Sequence, residues 1–142
     1  MAINTQKVVV GGLGAGVVLA VLDAVTNGWL FADQNAAALN ALNPNLAANT
    51  EGSGAMIGFI VVDLLFGILL VWTYAAMRAR FGAGPKTAMI AGFQIWLVAL
   101  LMYIGMTMMG MWEWGYFIIG SIVSLVTILI ASYVGGLLYK EE

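Results

Sequence analysis

Three polar side chains stand where polar side chains are costly. Asp23 and Asn27 lie in an apolar run from Lys7 to Ala32, and Asp63 lies in a second run from Gly54 to Met77. Carboxyl groups inside long apolar segments are the usual proton relays and cation-binding groups of membrane proteins. Asp23 precedes Phe31 by eight residues, about 12 Å of helix, and Asp63 follows Gly54 by nine, about 14 Å, so the two are expected at similar depth in neighbouring helices. All five basic residues, Lys7, Arg78, Arg80, Lys86 and Lys140, fall away from that depth. Two carboxylates without a basic partner in a low-dielectric bundle repel each other, a tension relieved by a proton or a bound cation.

Groups able to surround the pair are legible in the last apolar run. Gly120, Ser124, Thr127, Ala131 and Gly135 follow at spacings of 4, 3, 4 and 4, which places them on one helical face, with Ser121 beside it. The sequence therefore predicts a hydrogen-bonded polar cluster of Asp23, Asn27, Asp63, Ser121, Ser124 and Thr127 among the first, second and fourth helices. Its functional reading is a proton or small-cation site. Its plainer reading is interhelical glue, worth about 0.6 to 2 kcal/mol.

Two other constellations invite chemistry and carry less of it. Met102, Met106, Met108, Met109 and Met111 crowd the end of the third run beside Glu113, and thioethers are soft ligands suited to Cu(I). The chain has no cysteine and no histidine to complete such a site, so an adaptable packing or partner surface is expected, with no cofactor and no metal. The segment Arg78 to Thr87 superficially resembles a phosphate-binding loop, but Pro85 stands where glycine is needed and no strand precedes it. Gly82 and Gly84 instead suit a tight turn and Pro85 the first turn of a helix, while Arg78, Arg80 and Lys86 face lipid headgroups.

The elements that must position these groups follow from composition. With 63% hydrophobic and 8% charged residues in 142, the chain lacks the polar surface of a water-soluble domain. It offers four apolar stretches long enough to cross a bilayer, at about residues 7–32, 54–77, 85–110 and 115–139, each roughly 36 Å long as helix. An all-α polytopic membrane protein is expected: a single domain over 1–142, folded as an antiparallel bundle of four transmembrane helices. The first stretch reads as a retained helix, since no persuasive small-residue cleavage site follows it. The absence of basic residues from the first and third loops puts both termini and the second loop in the cytoplasm.

The loop over 33–53 then lies outside, read first as a plain connector with a surface helical turn; alternatively, a short helix over Gln34 to Leu42 lets Leu39 and Leu42, with Leu46 beyond, rest on the membrane or over the bundle mouth. Trp29, Phe31, Trp112, Trp114 and Tyr116 are expected in an outer aromatic belt, and Trp72, Tyr74, Phe81 and Tyr139 nearer the inner face. Gly12, Gly16 and Ala20 share the face of Asp23 and Asn27, and small residues there admit a neighbouring backbone closely. Gly120, Ala131 and Gly135 do the same on the fourth helix. Whether the seam of the first helix faces its own bundle or a neighbour is open at this level.

The stretch Tyr74-Ala-Ala-Met-Arg78-Ala-Arg80-Phe81-Gly82-Ala-Gly84-Pro85-Lys86-Thr87-Ala88, flanked by two apolar helices on each side, resembles a group of small bacterial inner-membrane proteins with an R-x-R-F-G-x-G-P-K-T-A turn. The resemblance implies inner-membrane placement and this topology, and no catalytic residue. A net charge of −2 on few charges leaves no nucleic-acid footprint, and no nucleophile and base pair or cofactor fingerprint is present, so no enzyme is expected. The first expectation is a non-catalytic integral membrane subunit that packs within or stabilises a larger complex, such as a respiratory or photosynthetic electron-transfer complex. Its partners would be membrane lipids and other integral membrane proteins. The alternative is a small proton, cation or solute channel or carrier built on the aspartate pair.

Overall fold

The computed structural model describes residues 3–140. Helix α1, Thr5–Val25, passes directly into a π-helical turn, Thr26–Leu30; α2, Ala32–Leu42, and α3, Pro44–Asn49, form the long connection to α4, Ser53–Phe81. Helices α5, Pro85–Met108, and α6, Trp114–Leu138, complete the chain, and no strand occurs among the described residues. Four helices are long and apolar enough to cross a membrane: 5–30, 53–81, 85–108 and 114–138. Helix suits such segments because every backbone N–H and C=O within it is satisfied without water.

Size sorts the side chains in this bundle. Val10, Val17, Val21, Val62, Leu65 and Ile122 point outward, while Ala15, Gly16, Gly67, Ala91, Ala131 and Gly135 are buried. Where lipid is as apolar as leucine, close van der Waals contact between small residues holds helices together. The seam of the first helix faces inward, onto α4. A Cβ on Gly12 would lie 2.5 Å from the Ile68 Cα, and one on Gly16 would lie 2.5 Å from the Leu64 Cα. The facing position on α4 is Gly67, where a Cβ would meet the Gly16 nitrogen at 2.2 Å. Gly135 of α6 fits against Val71 and Ala15, and Ala131 is fully buried. Gly120 departs from the expected packing face: a Cβ there would meet nothing within 4 Å, because the position borders open space between the helices.

The basic turn is built by the residues of its motif. Gly82 (φ 82°, ψ 168°) ends α4, and Gly84 (φ 131°, ψ 177°) precedes Pro85 at the start of α5, both in a backbone region that is essentially glycine's own. The Gly84 N–H donates to the Tyr74 hydroxyl at 3.1 Å, and the Thr87 hydroxyl donates to the Gly82 carbonyl at 2.8 Å. Ala88 packs under Gly136, and its carbonyl accepts from the Ser132 hydroxyl at 2.6 Å. The second span therefore runs beyond the expected Met77 to Phe81, since Gly82 rather than the first arginine stops the helix.

Tyr74 and Tyr139 correct the expected inner belt. Each is only 2% exposed, and their rings meet edge to face in the core at this end, with Val8 and Ala88 in the same cluster. The Arg78 guanidinium lies over both rings, 5.2 Å from the centroid of Tyr139 and 5.9 Å from that of Tyr74. It is thus half-buried among aromatics, a favourable cation–π placement, while Arg80 and Lys86 are exposed. A second core layer, Leu19, Leu70, Ile128 and Ala131, lies above the first.

Candidate functional site

Beyond that second layer, toward the end away from the basic residues, the four long helices part around a cavity of about 390 Å³. Leu19, Phe66 and Ile128 line its deep part. Asp23, Asn27, Asp63, Ser121, Ser124 and Thr127, the six residues expected in a polar cluster, all line this one cavity, and so does Gly120.

Close packing of α1 on α4 brings the carboxyls together. Because Gly16 has no Cβ, α4 approaches until the Asp63 carbonyl oxygen lies 2.8 Å from where that atom would be. Asp23 projects two turns further along α1 on the same seam. The two side chains line the same cavity from facing helices. Both are half-buried, and no basic residue lines the cavity.

The hydroxyls of α6 do not serve the carboxyls as expected. Ser124 donates to the Ser121 carbonyl at 3.0 Å and Thr127 to the Ser124 carbonyl at 3.0 Å, so both protons return to their own helix. The Ser121 carbonyl and the Ser124 hydroxyl instead accept the indole N–H of Trp96, at 3.0 and 3.2 Å. Trp96, which sequence reasoning passed over, is thereby fixed as one wall of the cavity. Its spacing along α5 gives no hint of this, because the bond crosses to another helix.

The rim is aromatic. Tyr103, Trp112 and Tyr116 form a continuous group with centroid separations of 6.4 and 5.9 Å, and Phe31 meets Tyr116 edge to face at 6.0 Å. Of the expected outer belt, then, only Trp29 and Trp114 are exposed, while Phe31, Trp112 and Tyr116 turn toward the cavity mouth. The indole nitrogen of Trp112 is buried and has no hydrogen-bond partner among the described residues.

Asn35 at the start of α2 ties the rim together: its Oδ1 accepts from the Tyr116 hydroxyl, and its Nδ2 donates to the Asn27 carbonyl at 3.2 Å. The carbonyl it reaches belongs to the π-helical turn, where the wider helix redirects backbone groups and the Thr26 hydroxyl bonds back to the Leu22 carbonyl at 2.9 Å. Asn27 itself is exposed, at the mouth rather than packed beside Asp23.

The arrangement can hold a positive charge. Two facing carboxyls supply negative charge, aromatic faces surround the space above them, and nothing basic competes within it. Among the described residues no group of three or more histidine, cysteine, aspartate or glutamate side chains gathers to hold a metal ion. No family model, curated protein or solved structure matches the chain.

Proposed function

We propose that the protein is a small, non-catalytic membrane carrier or binding protein that takes a proton or a cationic solute at the Asp23–Asp63 pair. The observation that carries this reading is the pair itself, placed in a cavity that no basic residue lines. An open channel fits less well, since two packed layers separate the cavity from the basic end of the bundle.

The topology that goes with it is an antiparallel bundle in a bacterial inner membrane, with both termini and the basic turn cytoplasmic and the cavity facing outward. Support comes from the pairing of Gly12 with Ile68 and Gly16 with Leu64, in which numbers rise along one helix as they fall along the other. The positive-inside bias gives the orientation. In vesicles reconstituted with the protein, an imposed pH gradient should drive a proton flux that the double substitution Asp23→Asn, Asp63→Asn abolishes while the folded helix content is retained. Equal flux in both proteins would refute the assignment.

A second reading, a subunit packed against other integral membrane proteins, is favoured by one observation. Gln94, in mid-span on α5, is exposed and makes no hydrogen bond among the described residues, and polar side chains at that depth commonly bond across helices. Exposed Met102, Met108 and Met109 lie on the same helix or at its end. Gentle solubilisation from native membranes, followed by mass identification of what travels with the protein, would give a stoichiometric partner on this reading and none on the first.

A further inference from the structure

We infer that the cavity is a site for a small organic ammonium ion, an inference that rests on the cation-site reading above. A bare inorganic cation would use the carboxyls and leave the aromatic walls idle. Calcium, for one, takes six to eight oxygens. The two carboxyls supply four, and the Ser124 hydroxyl oxygen already accepts from Trp96.

An organic cation has different needs, and the walls meet them. An alkylammonium ion has an apolar body that must be covered and a diffuse charge that aromatic faces attract, the more so once desolvated. Trp96 is pinned by its two hydrogen bonds, and Tyr103, Trp112 and Tyr116 form a second aromatic wall. At about 390 Å³ the space is near the lower end of small-molecule pockets, so the ion is a small one.

Carboxyl pair and aromatic walls together describe an ammonium head carried on a short apolar body. The ion enters as a cation, and any proton held between the carboxyls leaves to the solvent, so charge is conserved.

The test is equilibrium binding to the purified full-length protein with four probes: choline, tetramethylammonium, 3,3-dimethyl-1-butanol as the uncharged shape analogue of choline, and sodium chloride. Choline should bind at least about tenfold more tightly than the uncharged alcohol. Its binding should be lost in the Asp23→Asn, Asp63→Asn protein. Trp112→Leu, which removes one ring of the wall, should weaken choline and tetramethylammonium alike, by roughly three- to tenfold. Equal binding of choline and the alcohol would overturn the inference, as would sodium binding with no response to choline. A proton flux without choline binding would sink the ligand class and leave the cation-site reading standing; absence of both would remove the two together.

Discussion

Gly67 has no room for a methyl group. A Cβ there would lie 2.2 Å from the Gly16 nitrogen and 2.3 Å from the Gly12 carbonyl oxygen, and backbone atoms cannot turn aside as a flexible side chain can. Gly67→Ala should therefore push α4 off α1 and lower stability in detergent by about 1 to 3 kcal/mol, the range typical of overpacking. Gly58→Ala, on the same helix with nothing within 4 Å, should be neutral or stabilising by about 0.5 to 1 kcal/mol. Thermal unfolding of the two variants checks the contrast, and an equal response would contradict the packing described. The effect reaches the site, since the same close approach brings Asp63 to Asp23. The carboxyls were legible in the sequence because charge is rare in apolar runs and its depth can be counted from helix ends. Gly67, four residues after Asp63, was passed over, because its role depends on which helix it faces and only the packed bundle sets that. Trp96 and Asn35 were not legible, because their bonds join positions 25 and 81 residues apart.

Helix boundaries show which local rules win. The four long helices follow from apolar length alone, and Asn4 caps α1 by accepting the Lys7 N–H at 3.1 Å. The connection after Leu30 holds two short helices, Ala32–Leu42 and Pro44–Asn49, split at Asn43, whose side chain caps the second. The expected helix over Gln34 to Leu42 covers most of the first. The π-helical turn was not legible, since its residues have no distinctive propensity and its hydrogen bonds to Asn35 come from outside it. The basic turn carries the sharpest prediction at this scale. Gly84→Ala meets no neighbour within 4 Å, yet φ of 131° with ψ of 177° is strained for any residue with a Cβ, so stability should fall by about 1 to 3 kcal/mol. A variant as stable as wild type would show that the turn relaxes freely. On this account the R-x-R-F-G-x-G-P-K-T-A segment is conformational: glycines for the backbone, Tyr74 and Thr87 for its hydrogen bonds, Ala88 for room beneath Gly136.

The whole bundle is polarised along its length. One end is tightly packed, closed by Tyr74 and Tyr139 and dressed with the cations; the other parts around carboxyls and aromatic rings. On the proposed topology the carboxyl- and ring-lined recess opens to one side of the membrane only. Because the chain has no cysteine, a single thiol placed in the recess reports on it without background. Ser121→Cys, on the cavity wall, is the position of choice. Membrane-impermeant methanethiosulfonate reagents of opposite charge and similar size, added to oriented vesicles, make the most direct measurement. The cationic reagent should modify the thiol from the outer face about tenfold faster than the anionic one, an advantage expected of a site that concentrates cations. The advantage should disappear when Asp23 and Asp63 are both asparagine. Equal rates for the two reagents, or modification only from the cytoplasmic face, would contradict an outward-facing cation site.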